Sequence, residues 1–175
     1  ADVEEILADL KERHYLIWYS GALVGVANYY FATGDQERAW HTLQRSLQLT
    51  RQRGGRELIR KAETGIANYW LRTGQDNLAQ YWADTTPLSP YVIRAFGDVD
   101  PRSLRAQLLF RQGRPHDAMA LLTESLAIAR SIGNVAAEIA FQVDASVVAR
   151  AMGSRAEADA HLRIALELGA PGRFS

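Results

Sequence analysis

Apolar and small side chains recur along the chain at spacings of three, four and seven residues, the pattern of helices that bury one face. At four points a glycine interrupts this pattern and stands between two helix-like segments. These turn glycines are Gly34, Gly74, Gly113 and Gly153, spaced 40, 39 and 40 residues apart. Glycine adopts the positive φ that closes a helix C-terminus without a steric penalty. The pattern therefore predicts a series of helix-turn-helix units of about 40 residues each.

The predicted elements are an N-terminal helix at 2–12 and the helix pairs 15–33/35–52, 55–73/75–84, 101–112/115–131 and 134–152/154–168. Asp100-Pro101 combines a capping carboxylate with a first-turn proline, and Pro115 also suits a first turn. Ser154 with Glu157 matches a capping box. The irregular stretch 85–100 interrupts the series, and periodicity is lost over 169–175. We expect one domain, 1–175, with repeats at about 15–53, 54–86, 99–132 and 134–168.

Small residues occupy matching positions on both sides of each turn glycine, where two helices of a pair would approach closely. Seven residues before it stand Ala27, Ala67, Ala106 and Ser146, and five residues after it stand Ala39, Ala79, Ala118 and Ala158. Larger groups fill the space four residues before it (Tyr30, Trp70, Leu109) and nine after it (Leu43, Leu122, Leu162), with Ala149 and Ala83 as exceptions. We expect Gly34, Ala67, Ala118 and Leu122 to be buried or conformationally required.

Composition narrows the classes of function. Acidic and basic side chains balance at 20 each, so no net charge favours nucleic acid or an anionic membrane. The chain has no cysteine, which excludes disulfides, thiolate metal sites and a cysteine nucleophile, and which fits a reducing, cytoplasmic setting. Its four histidines are scattered, and neither a phosphate loop nor a serine nucleophile elbow occurs. We expect neither an enzyme nor a cofactor or metal, and no membrane segment.

The small-x-x-large pattern before the glycine, with alanine five residues after it, resembles the tetratricopeptide repeat. In its lengthened form it is similar to the sensor domain of MalT-type regulators, the large ATP-binding members of the LuxR class. The likeness is strongest over Asn68-Tyr-Trp-Leu-Arg-Thr-Gly-Gln-Asp-Asn-Leu-Ala79, Tyr81-Trp-Ala-Asp84, Ala106-Gln-Leu-Leu-Phe-Arg-Gln-Gly113 and the segment from Ala158 to Leu168. The resemblance implies an all-α, right-handed α-solenoid of about four helix pairs plus the N-terminal helix. The resemblance also implies that the sequence is a piece of a longer protein whose ATPase and DNA-binding domains lie outside it. This piece would then contact no nucleic acid.

Polar residues on the first helix of each pair are the candidate binding site, because these helices line the concave groove of tetratricopeptide solenoids. The candidates are Asn28, Lys61, Asn68, Arg72, Gln107 and Arg111. Matching positions on stacked helices would lie about 10 Å apart. Amides donate and accept, and Arg holds an oxyanion by two bonds, so an anionic or polyhydroxyl ligand would suit them. The alternative is that each residue is solvated or hydrogen-bonds between repeats.

Two further sets of residues, a basic run and the tryptophans, have both a ligand-binding and a structural interpretation. A basic run of Arg51, Arg53, Arg56, Arg60 and Lys61 is either a phosphate contact or a solvated helix junction, and the junction is favoured. Trp18, Trp40, Trp70 and Trp82 either stack a ligand or pack the core, and packing is favoured.

The sequence therefore supports two hypotheses of function. The first is a regulatory domain of a MalT-like LuxR-family transcription regulator that senses a small-molecule inducer and takes part in self-association. The second is a stand-alone scaffold that binds a peptide or protein partner. Val3, Ile6, Leu7 and Leu10 would cover a neighbouring segment or a second copy, so we also expect weak homo-oligomerisation at one end.

Overall fold

The computed structural model describes residues 16–53, 55–88 and 99–170, with side chains from Tyr19 onwards, and these residues form eight α-helices and no strand. The helices are α1 Leu16–Ala32, α2 Gln36–Arg53, α3 Arg56–Arg72, α4 Asp76–Thr85, α5 Pro101–Arg111, α6 Pro115–Ser131, α7 Val135–Ala151 and α8 Arg155–Gly169. Every boundary lies within one residue of the predicted one, and the all-α class is confirmed for this part of the chain. The predicted helix at 2–12 lies outside the described residues.

The turn glycines end their helices as the spacing predicts. Gly74 has φ +76°, donates its N–H to the Leu71 carbonyl, and is followed by Gln75, whose N–H bonds to the Trp70 carbonyl at 2.8 Å. This pair of bonds is the Schellman motif, which satisfies two orphan carbonyls of α3 and requires a left-handed residue. Gly34, Gly113 and Gly153 make the same bonds with φ of 88°, 75° and 84°.

The helix N-termini bear out two of the three predicted caps. The Asp100 carboxylate accepts the Arg102 N–H at 2.8 Å with Pro101 in the first turn, and Pro115 opens α6. The predicted capping box at Ser154 is wrong: Ser154 is the N-cap residue of α8, but its side chain makes no capping hydrogen bond. The start of α8 is instead fixed by the Gly153 turn, where the Ser154 N–H bonds to the Ala149 carbonyl.

The small residues that flank the turn glycines form the cores. Exposed fractions are 2%, 1%, 1% and 9% for Ala27, Ala67, Ala106 and Ser146, and at most 1% for Ala39, Ala79, Ala118 and Ala158. Leu122, Ala67 and Ala118 are buried, and Gly34 has the positive φ that its turn requires. The four positions predicted to be buried or conformationally required are thus confirmed. Leu162 is the exception, because it is 41% exposed although its counterparts Leu43 and Leu122 are buried. Among the described residues no later helix covers it.

The chain divides into two compact units, Ala1–Trp82 and Ala83–Ser175, with the boundary inside α4. In the first unit α1 packs on α2, α2 on α3, and α1 on α3. In the second unit α5 packs on α6, α6 on α7, α7 on α8, and α5 on α7. Each unit thus contains contacts between first helices of successive pairs, and in the first unit this contact brings Asn28 and Asn68 side by side.

Candidate functional site

In the first unit two of the predicted amides lie together. They share a frame position, which is the number of residues that separates a residue from the turn glycine of its repeat. Asn28 on α1 and Asn68 on α3 both lie six residues before a turn glycine, and the Asn68 Nδ2 donates to the Asn28 Oδ1 at 3.4 Å. Asn68 is 9% exposed and Asn28 half-buried. No other hydrogen bond to either amide is formed among the described residues. The pair therefore joins α1 to α3 and retains one amide donor group and one carbonyl acceptor.

Arg72 lies one helical turn beyond Asn68 and stacks on an aromatic ring that the sequence analysis did not select. Its guanidinium carbon is 3.7 Å from the centroid of the Phe31 ring, which is on α1. Desolvation lowers the pKa of Arg72, although an arginine remains charged at neutral pH. Within the described part of the chain its guanidinium has no hydrogen bond or ion pair. A stacked guanidinium with unused N–H groups can bind an oxyanion through two parallel bonds.

The ring beneath Arg72 belongs to an aromatic cluster that fixes its position. Phe31 meets Tyr69 edge to face at 5.9 Å between centroids, and Tyr69 lies 5.2 Å from Trp40. The Tyr69 hydroxyl donates to the Gln36 carbonyl at 3.4 Å. Such pairs add about 0.5–1.5 kcal/mol beyond burial and fix ring orientation. Phe31 is therefore a rigid support for the guanidinium.

Lys61 is on α3 as predicted, half-buried and almost two turns before Asn68. The basic run around it is partly neutralised, because Arg60 pairs with Glu57 at 2.8 Å and Arg51 with Glu63 at 3.2 Å. The Arg51–Glu63 pair joins α2 to α3, whereas Arg60 and Glu57 are both on α3. A helix junction rather than a phosphate contact is the interpretation that the sequence favours.

The second unit carries the remaining candidates, Gln107 and Arg111, on α5. The Gln107 Nε2 donates to the Asp144 Oδ1 at 3.2 Å, and the Ser103 hydroxyl donates to the other oxygen of the same carboxylate on α7. Gln107 thus bonds between first helices, as Asn68 does in the first unit, but to an acid. Arg111 is exposed. No feature of the sequence points to Asp144, because no other repeat has a carboxylate nine residues before its turn glycine.

The tryptophan side chains that the structure describes pack in or against the core and are not arranged to stack a ligand. Trp82 is 5% exposed, and Trp40 and Trp70 contact the core formed by Val24, Leu43 and Ile66. Trp18 lies among residues whose side chains are not described.

Over residues 16–53, 55–88 and 99–170 no group of three histidine or acidic side chains converges in a way that would hold a metal ion. In the same residues no helix has the length and apolar character to cross a membrane.

Comparison with known proteins returned no relative: no protein-family model, no curated protein and no solved structure matches the chain. The candidate site therefore rests on the geometry of α1 and α3, where three described features lie together: the Asn28–Asn68 pair, the Arg72 guanidinium and the Phe31 ring.

Proposed function

We propose that this chain is a ligand-binding regulatory domain of the tetratricopeptide type, and that the α1/α3 face of the first unit binds an oxyanion-bearing small molecule. The single observation that carries the proposal is the Arg72 guanidinium held on Phe31 with no acceptor among the described residues. A guanidinium whose position is fixed loses little entropy when it binds, so its bonds contribute more to affinity.

The helical frame supports a repeat domain. Hairpins recur at spacings of 40, 39 and 40 residues, first helices contact one another in each unit, and the first helix of each hairpin ends in the same glycine motif. Units of this kind form extended binding surfaces. A right-handed solenoid over the whole chain, and the likeness to MalT-type LuxR-class regulators of the cytoplasm, are parts of the proposal that rest on sequence resemblance.

Within the proposed site the residues have separate roles. Arg72 binds the oxyanion by its N–H edge, and the Asn28 amino group and Asn68 carbonyl oxygen hydrogen-bond to a hydroxyl or amide nearby. Lys61 contributes positive charge further along α3. Phe31 acts as a positioning residue. A ligand that contacts both α1 and α3 would favour one packing of these helices, which is how binding would reach an attached ATPase domain.

The alternative function is a scaffold for a peptide or protein partner. The Asn28–Asn68 bond and the Gln107–Asp144 bond both join first helices, so these amides also serve the stability of the repeats. A scaffold would use the exposed face more broadly and depend less on Arg72.

A thermal-shift panel distinguishes the two. Wild-type protein is heated with sugar phosphates, dicarboxylates, neutral disaccharides and an acidic peptide, each at millimolar concentration. A small oxyanion that binds the folded state should raise the temperature of the unfolding midpoint. Arg72→Gln should lower the affinity for that oxyanion at least tenfold, which corresponds to about 1.4 kcal/mol.

Arg38→Gln is the matched control, because Arg38 also stacks on an aromatic ring, Tyr30 at 5.8 Å, but pairs with Asp35 at 3.3 Å. Arg38→Gln should leave the midpoint shift intact. Stabilisation by the acidic peptide alone would favour the scaffold, and equal losses in both variants would remove Arg72 from the site. The regulator hypothesis is tested separately by the flanking reading frame, which should encode an ATPase module and a helix-turn-helix.

A further inference from the structure

Two exposed helix faces, one on α8 and one on α1, repeat the residue pattern of the two sides of the α2–α3 interface. In the first unit α3 seats on α2: Ile66 and Tyr69 of α3 pack in one cluster with Leu43 and Leu47 of α2. Ala62, on the same face of α3, is 1% exposed. The α2 half thus has leucines nine and thirteen residues after the turn glycine, and the α3 half has an Ala-x-x-x-Ile-x-x-Tyr stripe.

Helix α8 repeats the α2 half and leaves it uncovered. Leu162 and Leu166 stand nine and thirteen residues after Gly153, the frame positions of Leu43 and Leu47. They are 41% and 68% exposed, whereas Leu43 is 3% exposed. Leu162 and Leu166, one helical turn apart, therefore form an exposed apolar stripe on α8.

Helix α1 repeats the α3 half. Ala22, Val26 and Tyr29 occupy the frame positions of Ala62, Ile66 and Tyr69, so the stripe is Ala-x-x-x-Val-x-x-Tyr. Tyr29 is 56% exposed, and Ala22 and Val26 are only half-buried. Among the described first helices, this stripe is the one left open.

A glycine completes the match. On α3, a Cβ at Gly65 would lie 3.1 Å from Leu43 Cδ2 and 3.2 Å from Val24 Cγ1, so the close seating of α3 requires glycine there. Gly25 has the same frame position on α1, yet a Cβ added to it meets no described atom within 4 Å. No described side chain therefore fills, beside Gly25, the space that Leu43 occupies beside Gly65.

We propose that a second copy of this chain docks head to tail, with α1 of one molecule seated on the Leu162/Leu166 stripe of α8 of the other. The occupant is a second copy because its α1 carries the stripe and the glycine that the α2–α3 interface uses. Such a contact is heterologous, since each molecule contributes a different face. The inference rests on the repeat part of the proposed function and not on ligand binding.

The test substitutes the glycines of α1 and follows the mass by sedimentation equilibrium from micromolar to millimolar protein. Wild-type mass should rise above the monomer value of 19.5 kDa as concentration increases. Gly25→Leu should lower the association constant at least tenfold. Gly21→Leu is the matched control: Gly21 is on the same helix with nothing within 4 Å, and its counterpart on α3 is Lys61, so that position accepts a long side chain.

A mixing experiment tests the head-to-tail arrangement itself. Leu162→Glu/Leu166→Glu blocks one face and Gly25→Leu the other, so each variant alone should remain monomeric and an equimolar mixture should form a one-to-one complex. A wild-type chain that stays at the monomer mass, equal association of the Gly25 and Gly21 variants, or a mixture without complex would each overturn the proposal. Circular dichroism confirms that the variants are folded, and the thermal-shift response to oxyanions, measured on Leu162→Glu/Leu166→Glu in the second unit, reports the ligand site independently.

Discussion

Single residues in this chain are predictable where backbone geometry dictates them. The turn glycines and the alanines around them follow from spacing alone, because a left-handed turn and a close helix contact exclude larger residues. Asn28 and Asn68 were likewise expected to be neighbours from their equal frame positions, and they share a hydrogen bond. Phe31 beneath Arg72 was not predictable, since it depends on how two side chains from different helices turn toward each other. Whether the six predicted residues bind a ligand stays a prediction.

At the residue scale, Gly74→Ala should destabilise the protein by about 1–2 kcal/mol, because a Cβ is strained at φ +76°. Chemical denaturation followed by circular dichroism measures the change. Gly21→Ala, within helix α1, should be neutral or stabilising, since alanine is the better helix former. A Gly74→Ala protein as stable as wild type would mean that the α3–α4 turn relaxes to another conformation.

At the scale of helices, the repeat frame sets both boundaries and buried faces. For the eight described helices each predicted boundary agrees within one residue, because glycine turns and prolines mark the ends more sharply than propensity does. The capping box at Ser154 failed because the preceding Gly153 turn already fixes the start of α8, and the hydroxyl makes no capping bond. Leu162 was expected to fill the core, yet burial of this position depends on a following helix, which the local pattern does not reveal.

Packing between helices predicts a second result. Ala118 is fully buried on α6, so Ala118→Leu should cost about 1–3 kcal/mol through overpacking. Ala120→Leu is the control on the same helix, since Ala120 is exposed and the change should alter stability by at most about 0.5 kcal/mol. Thermal and denaturant unfolding compare the two variants. Equal effects would show that α6 does not pack by its predicted face.

For the whole molecule, the sequence predicts the series of hairpins more completely than it predicts their ligand or partner. Period and composition indicate a repeat protein without cysteine or a phosphate loop, and the described residues form helices joined by turns, with no strand among them. The ligand is not encoded by the repeat spacing, because the residues that differ between repeats do not follow it. Arg72 recurs only as Arg111 and Phe31 only as Phe110, and Asp144 has no acidic counterpart. Recognition in a repeat protein resides in such departures.

The most direct measurement of the proposed site is a nuclear magnetic resonance titration with a sugar phosphate that follows arginine side-chain Nε–Hε and asparagine amide signals. The proposed site predicts that the Arg72, Asn28 and Asn68 signals shift together and saturate, that Arg38 does not follow, and that Arg72→Gln abolishes the response of both asparagines. Shifts that never saturate, or that move Arg38 and Arg72 equally, would contradict oxyanion binding on the α1/α3 face.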